Sequence, residues 1–533
     1  MPTINDVTQI NRSPVLAVAT PTSNSEIQTC LRNSSLPISI GGGHFSMGGQ
    51  TASPGSLHLD LRQMNQILHF DLNAKAIRVQ AGVRWCDIQA FVDPHGLAVK
   101  IMQTYANFTV GGALSVNAHG RYIGLGPVVM SVRSITLILA SGELMHASRE
   151  ENSELFFAAI GGYGAIGIIT EVELDLVENV RIERSDCKMQ SEDYLHWFDK
   201  HVRHREDAIF HNGDLYPPHF TRVRAVSWLK TDKPATTQFR LQPLRRIYAL
   251  EKYFLWAISE TPSGKLRREY IIDPLLYLSK KVYWRNFEAG YDAAELEPIS
   301  REQRTYVLQE YFVPYERLME FTPKMAAILN KFSVNTINVS IRHALGDPGT
   351  IMAWARGETF AFVLYYKQRT NESAKDKVAI WTRELIDAVI SCGGTYYLPY
   401  QPHATHEQFH RAYPRAQELF AMKQTLDPQY RFRGALWDKY YAPTLTNNHQ
   451  EKPMTSLFQR VYQDPKQADR FYAFLQNIFH LYPEDRFHTL IKQSIALYGD
   501  APDADEMIYR HIQAKLPSIT PALSLLRFAL PSL

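Results

Sequence analysis

The chain has 533 residues, 45% of them hydrophobic and 21% charged, with a net charge of +3 and a pI near 8.4. Its length is too great for one core and predicts two or three domains, while so mild a charge argues against a nucleic-acid partner. Four scattered cysteines, Cys30, Cys86, Cys187 and Cys392, show neither a CxxC pair nor ligand spacing; this argues against a disulfide framework or metal site and fits a reducing, cytoplasmic compartment. The N-terminus has no charged region followed by a long apolar run, so no secretory signal is read, and no stretch is apolar enough to span a bilayer.

In chain order, "SNSEIQTCLRNS" reads as a short helix capped by Ser23 or Ser25. "PISIGGG", "SLHLDL" and "AIRVQAG" read as strands, and "WCDIQAFVDPHG" as a second short helix. "SITLILASGELMHAS" is two alternating runs around a glycine turn, the pattern of a hairpin, and "GIITEVELDLV" is a further strand. Beyond about residue 180, "RVRAVSWLK", "TYVLQEYFVP", "NTINVSIRHAL" and "TFAFVLYYKQ" alternate as strands. The segments "YERLMEFTPKMAAILNKF" and "AKDKVAIWTRELIDAVISCGG" separate some of them with helical periodicity. From 446 onward strand patterns thin out, and "QADRFYAFLQNIFHLYP" and "DEMIYRHIQAKL" read as amphipathic helices. The class is α+β, and four parts are expected: 1–180, 181–390, 391–445 and a helical extension, 446–533.

Three glycine clusters fall within the first 170 residues: "IGGGHFSMGG", "TVGGALSVNAHG" and "GGYGAIG". Two of them imitate the G-x-G-x-x-G dinucleotide fingerprint, and both fail on context. The first is followed by "QTASPGS", which leaves no room for a crossover helix before Asp60. The second is followed by the β-branched run "IITEVELDL" where a helix must begin. Converging, however, the three clusters would line a channel with backbone N–H groups, suited to an extended ligand with a diphosphate at its centre.

In that order and spacing, "ISIGGGHFSMGGQT", "TVGGALSVNAHGR" and "ELFFAAIGGYGAIGIITEVELDL" resemble the FAD-binding domain of the vanillyl-alcohol oxidase/p-cresol methylhydroxylase (PCMH-type) flavoproteins. The texture is that of sugar, alditol and aldonolactone oxidases, decaprenylphosphoryl-ribose oxidase and cytokinin dehydrogenase. The resemblance implies an FAD-binding domain of two α/β subdomains and a substrate-binding cap domain on a large antiparallel sheet. It implies that Gly41, Gly42, Gly43, His44, Phe45, Ser46, Met47 and Gly48 wrap the FAD diphosphate. Thr109, Val110, Gly111, Gly112 and Ala113 would pass the flavin ring, with Asn117, His119 and Gly120 following along the cofactor. Ile169 and, from the 391–445 return segment, Tyr397 would complete the set. His44 matches the histidine that many relatives bond to the flavin 8α-methyl, a reaction open to a neutral imidazole.

Oxidation of an alcohol by a flavin needs a base for the hydroxyl proton while hydride leaves carbon. In "LQEYFVP" alternation puts Glu310 on the face opposite Gln309 and Tyr311; in "NVSIRHAL" it puts Arg342 with Asn338 and Ser340, and His343 with Val339 and Ile341. Glu310, Arg342 and His343 resemble the polyol-facing residues of the sugar oxidases, and Arg342 is alternatively suited to negative charge on reduced flavin. Tyr400 stands where several relatives carry a lysine, a departure that sets this chain apart from lactone and decaprenylphosphoryl-ribose substrates.

The expected function is an FAD-dependent oxidoreductase acting on a CH–OH donor such as a sugar or polyol. The alternatives are an FAD-dependent C=C reductase, oxidation of a CH–NH substrate, and a non-catalytic flavin-binding protein. Residues 243–285 interleave Arg and Lys with aromatics and leucines. They fit an amphipathic helix pair of the cap or a membrane-surface patch that gives a weak membrane association.

Overall fold

The computed structural model describes residues 1–244, 249–261, 263–293, 300–447, 493–494 and 504–515. Residues 1–444 form one compact unit and 445–533 another. In the second, the described helix Ala504–Lys515 covers the described part of the "DEMIYRHIQAKL" prediction, and the predicted 467–483 helix lies outside the described residues.

The first unit opens with a three-stranded parallel sheet in which Leu57–Asp60 lies between Ala17–Ala19 and Ile38–Gly41. Helix Asn24–Asn33 joins the two outer strands, starts at Ser23, whose side chain accepts from the Glu26 N–H, and buries Ile27 and Leu31. These leucines and isoleucines form one core with Ile38, Leu59 and, from the far end of the unit, Phe432. Residues 42–56 make their connection between parallel neighbours without any helix, as the proline and glycine there dictate.

A second sheet of six strands packs over a larger core. In it Val132–Ile138 and Leu144–Ser148 form the predicted hairpin, and Ile168–Glu178 is a strand directly after Gly162, Gly164 and Gly167. That strand confirms that the last glycine cluster is no dinucleotide fingerprint. Within the middle cluster, Val110–Ser115 is a short helix whose Val110 and Leu114 are buried.

The third sheet has eight strands. Two of its members, Arg181–Gln190 and Ala208–Leu215, carry no clear strand pattern. The first is largely charged and the second holds Asn, Gly and Asp, so their state is set by pairing to Arg222–Lys230 on either side rather than by local preference. Toward one edge of this sheet, Arg304–Pro314, Thr359–Arg369 and Asn335–Ala344 lie side by side and antiparallel. Helices Leu318–Lys331 and Glu372–Ser391 bury Phe321, Met325, Trp381 and Leu385. The mixed α/β architecture with large antiparallel sheets agrees with the expected class.

In the 243–285 segment, Ala249–Glu260 is a helix and further short helices run from Gly264 to Tyr277. Tyr253, Trp256, Leu266, Tyr270, Ile271, Leu275, Leu276 and Leu278 are exposed there.

Candidate active site

Two cavities meet along a wall made by Gly42, Ser46, Thr51, Thr109, Gly112 and Val116. One continues past Gly41, Gly111, Tyr163, Gly164, Gly167 and Ile169 to Arg433. The other, of about 140 Å³, runs past His44, Phe45, Met47, Tyr105, Phe108 and His119 to Glu310, Arg342, Tyr397 and Tyr400. All three glycine clusters contribute to the first cavity, so together the pair make the elongated, glycine-walled trough expected from their sequence. Side chains are excluded by contact: a Cβ on Gly42 would lie 2.4 Å from Thr109 Oγ1, and one on Gly48 would lie 2.2 Å from the Tyr400 carbonyl oxygen. Both distances are well inside van der Waals contact.

The far end of the larger cavity is polar. Leu308 and Glu310 reach it from one strand and Arg342 from another; Glu310 pairs with Val363, which also pairs with Ser340, two residues before Arg342. Glu310 Oε2 lies 2.7 Å from His119 Nε2, and the Tyr400 hydroxyl donates to Glu310 Oε1. His119 Nδ1 faces the Gly120 carbonyl oxygen at 3.1 Å. A carbonyl can only accept, so Nδ1 carries a hydrogen, and Nε2 meets one carboxylate oxygen of Glu310 while the tyrosine donates to the other.

Burial alone would raise the Glu310 carboxyl, but His119, Arg342 and the Tyr400 hydroxyl outweigh it and hold the group below its ordinary value. Burial and then the Glu310 charge push the Tyr400 phenol far above its ordinary value, so it stays a neutral donor. Arg342 is lowered by burial, yet a guanidinium remains a cation. Its buried Nε has no hydrogen-bond partner. An unpaired cationic donor on a cavity wall is a receptor for an oxygen of a ligand.

His343 is not part of this arrangement. Strand alternation sends it to the opposite face, where Nε2 meets Glu358 Oε1 at 2.6 Å and the ring packs on Phe198. Four positions expected along the cofactor also turn away from both cavities. Val110 is buried in the core; Gly48 N–H donates to Gln50; Asn117 donates to Asp347 and Thr350; Gly120 serves His119 through its carbonyl. Gly41, Gly42, Gly43, His44, Phe45, Ser46, Met47, Thr109, Gly111, Gly112, Ala113, His119, Ile169 and Tyr397 all line one cavity or both. Tyr397 is held there by its hydroxyl, which donates to the Val116 carbonyl at 2.8 Å.

His119, expected along the cofactor, lines the larger cavity and is also joined to Glu310. The sequence reading passed over His58, Tyr163 and Arg433. His58 looked like one more residue of "SLHLDL", and a buried histidine in a parallel strand was the only available signal.

The trough fits a flavin dinucleotide on two counts. Its walls are glycines at closest approach, and the buried Nδ1 of His44, which lines the larger cavity, has no partner. Residues 15–148 match the FAD binding domain family. The chain is 24% identical over 433 residues to L-gulonolactone oxidase of Bos taurus, covering 79% of this chain and 94% of that one. It is 24% identical over 405 residues to decaprenylphosphoryl-beta-D-ribose oxidase of Mycolicibacterium smegmatis, covering 72% and 84%. With cytokinin dehydrogenase 7 of Oryza sativa subsp. japonica it shares 32% over 193 residues, covering 34% and 37%. Residues 15–148 are an FAD-binding domain, and over most of its length the chain is similar to flavin-dependent oxidases. Its cofactor is FAD and it belongs among the FAD-dependent oxidoreductases. The glycine clusters line the trough, and Glu310 lies at the polar end of its larger cavity.

Proposed function

We propose that this flavoprotein oxidises the CH–OH group of a sugar, polyol or related alcohol. The observation that carries the reading is the Glu310–His119–Tyr400 cluster facing Arg342 across the cavity lined by His44. FAD supplies the acceptor for the hydride that leaves the substrate carbon. Arg342 holds a substrate oxygen through its unpartnered Nε–H and fixes which carbon faces the ring. The hydroxyl proton passes to the Tyr400 oxygen as the tyrosine gives its own hydrogen to Glu310. Glu310 is thus the end point, and its pairing with His119 and Tyr400 orients both oxygens.

Several facts support a hydroxyl donor over the alternatives. The likeness to the lactone and ribose oxidases runs over most of this chain, and that to cytokinin dehydrogenase over about a third of it. Tyr400 in place of lysine leaves the site with one fixed cation, Arg342, among the four residues in these roles.

The test is anaerobic bleaching of the flavin by a panel of aldonolactones, alditols, pentosides and secondary amines, followed by air. Bleaching by a CH–OH donor is expected. Bleaching by amines alone, or by NADPH alone, overturns the reading.

A further inference from the structure

His44 has a neighbour that nothing above uses. His58 is fully buried on Leu57–Asp60, in the strand beside Ile38–Gly41. The two imidazole centroids lie 5.5 Å apart. Both rings close on the Cα of Gly41, where a Cβ would sit 2.5 Å from His58 Nε2 and 2.8 Å from His44 Cε1. Glycine is required at this point, since any side chain would force the rings apart.

Three hydrogen bonds decide the tautomer of His58. Ser56 Oγ donates to the Ser53 carbonyl at 2.7 Å, which uses its one hydrogen. Ser39 Oγ lies 2.8 Å from Ser56 Oγ and must donate to it. Ser39 Oγ also lies 2.9 Å from His58 Nδ1, and having spent its hydrogen it must accept there. Nδ1 therefore carries the ring hydrogen and Nε2 presents a lone pair. That Nε2 is buried and has no partner, and neither has His44 Nδ1. Two buried, orphaned nitrogens on neighbouring rings are costly unless a proton comes to lie between them.

We propose that His58 accepts the N–H proton of His44 as His44 bonds to the 8α-carbon of the flavin, with Ser39 and Ser56 holding His58 in the receptive tautomer. The inference rests on the FAD ring lying in the cavity that His44 lines. In the overall step a C–N bond replaces one 8α C–H bond. The carbon loses a proton to solvent, His44 supplies the bonding electron pair and loses its N–H proton to His58, and the pair from the C–H bond remains on the ring. Dioxygen then removes that pair with two protons, leaving hydrogen peroxide and the oxidised, attached cofactor.

His58 is a positioning and proton-accepting residue here. Burial first, and then the His44 charge, lower it to about 4, so it waits as the neutral base. Asp60, itself paired with Arg62 at 2.5 Å, favours the charged form of both histidines, and Arg62 opposes it. These are the titratable and charged groups acting on the pair.

The experiment follows attachment on adding FAD to the flavin-free full-length chain, read by intact mass after acid denaturation. The native chain is expected to retain the flavin mass and His44→Ala to lose it. His58→Gln should bind FAD yet attach it roughly 10²-fold more slowly, with a rate that climbs with pH where the native rate is flat. Ser39→Ala, a gentler change that frees the tautomer, should fall between. Attachment at the native rate in both variants overturns the proposal. So does release of all FAD from the native chain on denaturation, a result that leaves the flavoprotein reading intact. A colourless chain that takes up no FAD overturns both.

Discussion

Glu310 and His119, 191 positions apart in the chain, are joined at 2.7 Å at the polar end of the cavity. The second imidazole nitrogen is committed to the Gly120 carbonyl, so the ring is held in a fixed orientation against the carboxylate.

Replacing Glu310 by Gln removes the acceptor of the hydroxyl proton. Anaerobic flavin reduction should slow by roughly 10²–10⁴-fold, with FAD still bound, as stopped-flow absorbance will show. Because the Glu310 carboxyl is held below its ordinary value by His119, Arg342 and Tyr400 against the effect of burial, it is ionised throughout the neutral range. The native reduction rate should lose this group's contribution only as pH falls below the ordinary carboxylate range. The same depression contributes stability that is complete above the unfolded pKa and is lost as pH falls through the folded one.

Arg342 makes its contribution through substrate. Arg342→Met should raise KM by roughly 10–100-fold, as loss of a charged hydrogen bond implies, and lower kcat less. A fall in kcat at unchanged KM would instead assign Arg342 to the charge of the reduced ring.

Acid should destabilise the fold from near neutrality. His58 is lowered to about 4, His211 to about 3 and His403 to about 3, in each case first by burial. Their unfolded forms take up protons from about pH 6.5, so the unfolded state binds more protons between that point and the folded values. Each histidine then removes about 1.4 kcal/mol of stability per pH unit across this window. Urea unfolding of flavin-free protein at neutral pH and again one unit below the histidine pKa should show the combined loss. His403→Gln should reduce the slope by its single share.

The helices between Ala249 and Tyr277 leave Trp256, Leu275, Leu276 and Leu278 exposed beside Arg267 and Lys280. Apolar side chains interleaved with cations match an anionic bilayer surface. Co-sedimentation with anionic vesicles at low salt is expected, weakened by Trp256→Ser with Leu275→Ser. Equal recovery with neutral vesicles, or none with either, would assign the face to another partner.

Local chemistry was enough to place the glycine clusters, the helix capped at Ser23 and the hairpin at 132–148, because each depends on neighbours a few residues away. Alternation likewise put Glu310 and Arg342 on definite faces of their strands. Which face looks into the cavity was another matter, since His343 and Arg342 are adjacent and equally polar. Packing chose between them by burying Phe198 against one side of the sheet and bringing the flavin domain to the other. The same holds for His119 with Glu310 and for His44 with His58. Short-range pattern sets backbone state, whereas such a pair arises only where separate strands and loops are pressed together by a common core.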